Sequence, residues 1–309
     1  MKTIGIIHNP RSKENMRHPH LLDRIKDIIG RYGTVFVPSS YDELTEVAKE
    51  IKKDRYEIVG VNGGDGTNHQ IITRIIDLYN NDRFPLIAHL RGGTMNTISN
   101  ALNGITGSVT GITQKLVEHY KDNRPFKTRA NKVLNVNGRY GFMFGTGFVS
   151  NLMDMYYEGG TPGPIKALQI IYKAIASAII KTNYVDRLFR PVLAEVVIDG
   201  IKLDYSRYSV IVSSAIRNVG LNFRAIYRAE ELPDKIHVFA GQATAFEVIR
   251  RLRKLYIGHQ PGFQHMADVL ARLVEIRSGS PLRYTIDGDM YEDTRVVLSP
   301  GPMMSYIQD

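Results

Sequence analysis

The sequence predicts an α/β domain with a parallel sheet, followed by a mostly antiparallel β-sandwich domain. Three observations carry this prediction. The chain has 309 residues, enough for one large domain or two ordinary ones. Its first third alternates short apolar strands with helical segments, as in a parallel sheet covered by helices. The remainder contains mainly short strands joined by turn signals such as Val136-Asn137-Gly138 and Ile198-Asp199-Gly200.

In the first domain, hydrophobic periodicity and capping residues define the expected elements. The expected strands are Thr3–Ile7, Thr34–Val37, Glu57–Val61 and Pro85–Leu90. The expected helices are Leu21–Gly30, Tyr41–Lys53 with Asp42 as its cap, Asn68–Tyr79 and Met95–Leu102.

In the second domain, strands predominate and two helices interrupt them. The expected strands are Lys132–Val136, Tyr140–Gly145, Pro191–Ile198, Tyr205–Ser213, Lys235–Ala240 and Leu282–Ile286. The expected helices run from Pro164 to about Lys181 and from Ala245 to about Tyr256. A boundary at Asn123-Arg124-Pro125 gives domains of residues 1–125 and 126–291.

Composition narrows the classes of function. The chain has no cysteine, which excludes disulfides, thiolate metal sites and a cysteine nucleophile. Its first apolar run is too short for a signal peptide, and no uninterrupted apolar stretch has the length of a transmembrane helix. We therefore expect a cytoplasmic protein. The net charge of +9 favours polyanions, namely a nucleotide, a nucleic acid or an anionic lipid surface.

The strongest motif is Gly63-Gly64-Asp65-Gly66-Thr67, which follows a predicted strand and opens a helix. Glycines let a backbone approach a bulky anion closely. The helix that follows offers free N–H groups and the positive end of its dipole. Thr67 could donate its hydroxyl to a phosphate, and Asp65 could act through Mg²⁺, which prefers oxygen ligands. The alternative is a tight turn that merely needs glycine.

Two further turns follow predicted strands in the same way. They are Leu90-Arg91-Gly92-Gly93-Thr94-Met95-Asn96 and His8-Asn9-Pro10-Arg11-Ser12. In an open α/β sheet, ligands bind at the carboxyl ends of the strands, so all three turns should meet at one edge. The candidate nucleotide-binding residues are Asn9, Arg11, Ser12, Gly63, Gly64, Asp65, Gly66, Thr67, Gly93, Thr94 and Asn96.

These three motifs, in this order, resemble the diacylglycerol kinase catalytic-domain family, which includes bacterial diacylglycerol kinases and sphingosine and ceramide kinases. The resemblance implies an NAD kinase-like first domain, ATP and Mg²⁺ as cofactors, and a lipid whose hydroxyl is phosphorylated. It also implies that residues 292–309 return to the first domain. The sequence departs from the family at Gln70, where Glu is usual, at Arg91, where Pro is usual, and at Thr97, where bacterial members often have Asp.

The resemblance also assigns residues in the second domain. Ile286-Asp287-Gly288-Asp289 resembles the family's Asp-Gly-Glu motif, which makes Asp287 the expected general base, although Asp-Gly alone also suits a plain hairpin turn. Gly147 and Asn151 lie near the position of a lipid-headgroup residue in sphingosine and ceramide kinases. Asp234 lies near an acid that holds a structural Mg²⁺ in bacterial members, and a solvated loop carboxylate is the alternative.

A lipid substrate requires access to a bilayer. Ile165–Lys181 is strongly apolar and suits either an interfacial helix or a core helix. Arg250–Tyr256 is basic and suits either contact with anionic headgroups or a solvated helix face. We expect peripheral contact with the inner face of the membrane and no nucleic-acid partner, and the sequence leaves a homodimer open. The rival hypotheses are an NAD kinase-type enzyme with a soluble substrate and a non-catalytic regulator that binds nucleotide or lipid.

Overall fold

The computed structural model describes residues 3–80, 82–158, 164–180 and 183–309. The chain forms two compact units, one of Met1–Lys132 with Pro302–Asp309 and the other of Val133–Gly301. In the described part of the chain, no helix has both the length and the apolar content needed to cross a membrane.

The first unit contains a parallel sheet of short, buried strands. The strands are β1 (Ile4–His8), β2 (Gly33–Phe36), β3 (Ile58–Asn62) and β4 (Leu86–His89), in the order β4-β3-β1-β2. All residues of β1 and β3 are buried, because the sheet is covered on both faces. Every pairing among these strands is parallel, so their carboxyl ends lie at one edge.

Helices surround this sheet. They are α1 (Lys13–Arg17), α2 (Leu21–Ile29), α3 (Tyr41–Lys53), α4 (Asp65–Tyr79), α5 (Thr97–Ala101) and α6 (Val109–Lys121), with a 3-10 turn at Gly30–Tyr32. The sequence did not predict α6, whose Ile112 and Leu116 lie in one buried cluster with Ile25 and Ile29 of α2. Asp42 was the wrong cap for α3. Ser40 is the cap, because its side chain accepts a hydrogen bond from the N–H of Glu43.

In its described residues, the second unit is mostly β-structure with four helices. After β5 (Thr128–Val136), which crosses the unit boundary, its strands are β6 (Arg139–Gly141), β7 (Met143–Gly147), β8 (Val192–Leu193), β9 (Glu195–Ile198), β10 (Ile201–Lys202), β11 (Arg207–Tyr208), β12 (Val210–Ser214), β13 (Ile236–Gly241), β14 (Met266–Ala271), β15 (Val274–Ile286) and β16 (Asp289–Ile307). Its helices are α7 (Phe148–Tyr157), α8 (Pro164–Ile180), α9 (Asn183–Leu188) and α10 (Ala245–Ile257). Lys181, the predicted end of α8, lies outside the described residues.

The strands of the second unit pair in the order β14-β13-β12-β7-β15-β16, and all these pairings are antiparallel. β9 also pairs with β15, antiparallel. The predicted fold class, a parallel α/β domain followed by a mostly antiparallel β domain, is therefore confirmed.

The return of the chain to the first unit begins later than the sequence placed it. The final strands expected at Thr294–Leu298 and Met304–Gln308 form the single strand β16. Its residues Asp289–Leu298 pair with β15, which keeps them in the second unit, whereas Tyr306 pairs with Ile87 of β4. The units consequently divide at residues 132 and 301, where the sequence placed the limits at 125 and 291.

Candidate active site

The first glycine-rich turn joins β3 to α4. Gly64 is the N-cap of α4 and has no side chain with which to cap it. The N–H groups of the first turn lie at the carboxyl edge of the sheet and have no side-chain acceptor among the described residues. A Cβ atom on Gly63 would lie 2.5 Å from the side chain of Thr67. Glycine at position 63 therefore lets Thr67 fold back over the turn. This arrangement suits an anion held by backbone N–H groups and a hydroxyl.

The second glycine-rich turn joins β4 to α5. Two of its residues, Arg91 and Asn96, have φ values of 62° and 48° in the left-handed region. The side chain of Asn96 donates a hydrogen bond of 3.0 Å to the carbonyl oxygen of Gly93 and closes the turn. Proline is restricted to negative φ, so Arg91 gives this turn a backbone that the family's usual proline could not adopt.

The two glycine-rich turns touch each other through their backbones. A Cβ atom on Gly93 would lie 2.5 Å from Cα of Gly64, and one on Gly92 would lie 2.2 Å from Oδ1 of Asn62. Contacts this close leave no room for any side chain. The convergence that the strand order predicted is therefore present.

Asp65 ties the first turn to the second. Its carboxylate accepts hydrogen bonds from the backbone N–H groups of Thr97, at 3.1 Å, and Ile98, at 3.2 Å. Removal from water raises the pKa of the Asp65 carboxyl, and the N–H groups of Ile98 and Thr97 partly offset this rise. Asp65 thus stabilises the start of α5, a contact that no motif spacing predicted.

The third turn, after β1, meets the first through Asn9. The side-chain amide of Asn9 donates a 2.8 Å hydrogen bond to Oγ1 of Thr67, and its Oδ1 accepts one from the N–H of Arg11 at 2.9 Å. Arg11 is exposed, whereas Ser12 is buried. Thr94 is also exposed, at the tip of the second turn.

Several buried polar atoms around these turns have no hydrogen-bond partner among the described residues. They are Ser12 Oγ, Asn15 Oδ1, Asn62 Oδ1, Asn68 Nδ2 and Ser99 Oγ. Buried polar groups are nearly always paired in native proteins, so such a cluster fits a site that a polar ligand completes. Asn15, Asn62 and Asn68 were not among the residues predicted from the sequence. Asn62 could have been predicted as a site residue, because it is a polar residue at the end of the otherwise apolar strand β3.

Two buried histidines end their strands at the same edge. His8 lies 2.7 Å from the amide nitrogen of Asn62, and burial lowers the pKa of His8. His89 Nε2 lies 2.9 Å from Oδ1 of Asn68, and its ring stacks on Tyr306 with centroids 5.7 Å apart. Burial, followed by the charge of Arg91, lowers the pKa of His89 to about 4, so this ring is neutral at pH 7.

The residues proposed for metal binding have other partners. Asp234 is exposed, and the Arg272 guanidinium, 2.6 Å from Oδ2, lowers the pKa of its carboxyl. Within the described residues, no group of three or more His, Asp or Glu side chains could hold a metal ion. Any Mg²⁺ near Asp65 would therefore need ligands from phosphate and water, which Mg²⁺ readily accepts.

Asp287 lies in the second unit, in the turn between β15 and β16, with a left-handed φ of 50°. Its carboxylate is buried and accepts hydrogen bonds from the N–H groups of Phe142 and Met143, the shortest at 2.8 Å. These bonds lie where the chain passes from β6 to β7, and they explain why the predicted strand Tyr140–Gly145 divides in two. Asp287 thus holds a strand junction.

The predicted headgroup residues lie at the start of α7. Gly147, with φ of 67°, is its N-cap, and a Cβ atom there would lie 2.5 Å from the carbonyl oxygen of Ser209. The amide of Asn151 donates to the carbonyl oxygens of Leu188 and Arg190, at 3.1 and 3.2 Å. Asn151 therefore anchors the end of α9 through its nitrogen.

The first unit is an α/β domain whose three turns meet at the carboxyl edge of its parallel sheet. Residues 3–124 match the family model of the diacylglycerol kinase catalytic domain, which is the family that the three motifs resemble. No curated protein matches the chain by sequence.

Solved structures extend the similarity of fold to the whole chain. A crystal structure of a diacylglycerol kinase from Bacillus anthracis str. Sterne is similar to it, with a TM-score of 0.65 and 14% identity, over 100% of this chain and 97% of that one. Two further structures from the same organism match with TM-scores of 0.69 and 0.68, at the same identity and coverage. At this identity, the likeness establishes the fold.

Proposed function

We propose that this protein is an ATP-dependent lipid kinase that phosphorylates the primary hydroxyl of diacylglycerol, ceramide, a sphingoid base or a similar lipid. The observation that carries the proposal is the backbone contact between Gly64 and Gly93. It combines two glycine-rich turns, an uncapped helix start and the Asn9–Thr67 hydrogen bond into one anion-binding edge. The match of this unit to a kinase domain supports the same proposal.

The chain's own residues suit the phosphates of a nucleotide. The first-turn N–H groups of α4 would bind phosphate oxygens, and the Thr67 hydroxyl would donate to one of them. Asn9 would orient that hydroxyl, because its amide already holds Oγ1 of Thr67. Mg²⁺ would neutralise phosphate charge when bound, with Asp65 as the nearest protein carboxylate in this unit's turns.

In the proposed reaction, the lipid hydroxyl oxygen forms a bond to the γ-phosphorus while the bond from phosphorus to the β–γ bridging oxygen breaks. ADP leaves, and the hydroxyl proton passes to the Asp287 carboxylate. The headgroup would contact Gly147 and the free oxygen of the Asn151 side chain. The lipid substrate lies in a membrane, so we propose peripheral binding to the inner face of the membrane in the cytoplasm, with no nucleic-acid partner.

A second candidate is a non-catalytic protein that binds nucleotide. One observation favours it: both candidate carboxylates, Asp65 and Asp287, already accept backbone N–H donors. Such groups can be purely structural. Binding of ATP without turnover on any acceptor would establish this candidate.

The first experiment incubates the purified protein with labelled ATP and a panel of diacylglycerol, monoacylglycerol, ceramide, sphingosine and NAD. We expect a labelled phospholipid from at least one of the lipids. Transfer to NAD alone would instead establish the soluble-substrate kinase. No labelled product from any acceptor would refute the lipid kinase.

The second experiment tests Asp287 with a matched control. Asp199 is also an aspartate before glycine in a turn, has a φ of 47°, and accepts hydrogen bonds from the N–H groups of Arg272 and Leu273. We expect Asp287→Asn to lower kcat by about 10²- to 10⁴-fold, because a base is lost. Asp199→Asn should lower the stability of the protein about as much as Asp287→Asn does, but it should keep the rate of phosphoryl transfer.

Nucleotide affinity and the melting temperature are measured for both variants. If Asp287→Asn and Asp199→Asn lose turnover equally, or if Asp287→Asn keeps full turnover, the assignment of Asp287 as the base is wrong.

A further inference from the structure

The helix α8 exposes an apolar face. Ile165, Leu168 and Tyr172 are 74%, 56% and 73% exposed, and their spacing of three and four residues puts them on one side of the helix. Ile170, on another side, is buried in a cluster with Met155 and Leu188. The helix is therefore anchored in the second unit by one side and offers an apolar side to the surroundings.

The helix α10 exposes a face that is both apolar and basic. Phe246, Arg250, Arg253, Lys254 and Ile257 are exposed and recur at helical spacing. The Arg250 guanidinium lies 5.7 Å from the centre of the Phe246 ring. The residues of the opposite side, Val248, Ile249, Leu252 and Leu255, are half-buried.

The cations of this face have no counterion among the described residues. Arg250, Arg253 and Lys254 form no ion pair or hydrogen bond through their side chains in the described residues. Arg251, one residue along, differs, because its guanidinium donates to the carbonyl oxygens of Pro261 and Gly262. Arg250, Arg253 and Lys254 are therefore available to bind a partner outside the chain.

The two helices pack against each other in the second unit. We call the exposed residues of these two packed helices the α8–α10 surface; they are Ile165, Leu168, Tyr172, Phe246, Arg250, Arg253, Lys254 and Ile257. Aromatic and aliphatic side chains beside unpaired cations are typical of segments that lie in the interface of an anionic bilayer.

We propose that the α8–α10 surface docks the protein on a membrane that contains anionic lipids. The cations meet lipid phosphates, and the apolar side chains enter the boundary between headgroups and acyl chains. The charge complementarity distinguishes a bilayer from an apolar protein partner, which would leave three cations without counterions. The inference rests on the proposed function, because a kinase for a membrane lipid must reach the bilayer.

The test measures co-sedimentation with vesicles in the absence of nucleotide. Vesicles of phosphatidylcholine alone are compared with vesicles that also contain phosphatidylglycerol, at low and high salt. We expect binding to the anionic vesicles that weakens as salt increases. The triple variant Arg250→Gln, Arg253→Gln and Lys254→Gln should bind them about 100-fold more weakly, since each basic side chain near the surface contributes about 1 kcal/mol.

Two further variants complete the test. Ile165→Ser with Leu168→Ser and Tyr172→Ser should weaken binding at both salt concentrations, because it removes the apolar contact. The control variant Arg24→Gln, Lys53→Gln and Lys121→Gln removes three exposed cations of the first unit and should bind like the unmodified protein. Unaltered circular dichroism spectra establish that the variants are folded.

Equal binding by the basic triple variant and its control would overturn the proposal, as would the absence of any binding to anionic vesicles. A concentration-dependent dimer that the α8 variant abolishes, seen by light scattering without vesicle binding, would assign the surface to a second copy instead. Phosphoryl transfer to a water-soluble short-chain lipid is measured on the same variants. This measurement separates a failure of the docking proposal from a failure of the kinase hypothesis.

Discussion

At the scale of single residues, the pair of His89 and Asn68 joins the end of β4 to the first turns of α4. The ring of His89 is confined between Asn68 and the stacked ring of Tyr306. Protonation would place a charge where no water can solvate it. The neutral ring therefore holds Asn68 beside the first glycine-rich turn. The Nδ2 atom of Asn68 has no hydrogen-bond partner among the described residues.

The lowered pKa of His89 predicts a loss of stability in mild acid. A histidine with a folded-state pKa of about 4, below its ordinary 6.5, binds its proton more tightly in the unfolded chain. The free energy of unfolding should therefore be highest above pH 6.5 and fall by about 3 kcal/mol as the pH falls to about 4.

Urea denaturation across this pH range measures the effect. His89→Gln, which can still donate to Asn68, should flatten most of the slope, and His8, whose pKa is also lowered, should account for part of the remainder. The control His259→Gln changes an exposed ring and should leave the slope as it is. An unchanged slope in His89→Gln would contradict this explanation.

The contact between the glycine-rich turns gives a second prediction at this scale. Gly93→Ala places a Cβ atom 2.5 Å from Cα of Gly64, so the two turns must separate. We expect a loss of about 1–3 kcal/mol in stability, as for overpacked sites, and a loss of ATP binding measured by calorimetry. Gly279→Ala is the control, since a Cβ atom there has open space. Wild-type ATP affinity in Gly93→Ala would exclude this edge as the phosphate site.

At the scale of elements, α5 depends on its neighbours. A helix of five residues is too short to be stable by itself. Its N-cap residue Asn96 makes no side-chain cap, and the carboxylate of Asp65 from α4 takes over this function. The order of the second turn therefore depends on a residue of the first.

Replacement of Asp65 tests this dependence. Asp65→Ala leaves two backbone N–H groups of α5 without an acceptor, and we expect it to cost about 1–3 kcal/mol of stability. ATP affinity should also fall, about tenfold for each 1.4 kcal/mol needed to reorder the second turn. Hydrogen exchange of the Thr97 and Ile98 amides and calorimetry with ATP measure the two effects.

Ser108→Ala is the matched control for this variant. It removes a helix cap in the same unit, where Ser108 accepts from the N–H of Gly111 at 3.1 Å. It should cost about 1 kcal/mol of stability without changing ATP affinity. Equal effects of both variants on ATP affinity would show that Asp65 acts only through overall stability.

At the scale of the whole molecule, β16 makes the first unit discontinuous in sequence. Pro302–Asp309 belongs to the same compact unit as Met1–Lys132. Met304, Tyr306 and Ile307 are buried there. The first unit is therefore built from both ends of the chain, and it should lose stability when this last segment is altered.

Tyr306→Ala tests the contribution of this segment. Tyr306 is fully buried, and its ring stacks on His89. We expect a loss of about 3–5 kcal/mol in the free energy of unfolding, as for other buried aromatic residues. Met303→Ala, in the same strand but 46% exposed, should change the stability by less than about 0.5 kcal/mol. Equal melting temperatures for both variants would contradict this account.

The sequence predicted much of the fold because local patterns decide it. The bounds of α3 and the position of α4 follow from apolar spacing, and the parallel sheet follows from alternation of strands and helices. The helix α6 was not predicted, although Ser108 is its cap and its buried apolar residues, such as Ile112 and Leu116, recur at helical spacing. The split of Tyr140–Gly145 was missed because it depends on Asp287, more than a hundred residues away.

By itself, the sequence determined the fold class and the three turns, because glycine spacing and strand ends are local properties. Only the tertiary structure decided which atoms these turns bring together. The Gly64–Gly93 contact, the Asp65 cap on α5 and the neutral ring of His89 each join residues that are distant in the chain. Burial and close packing set these contacts and the His89 charge, and both arise when the sheet has assembled.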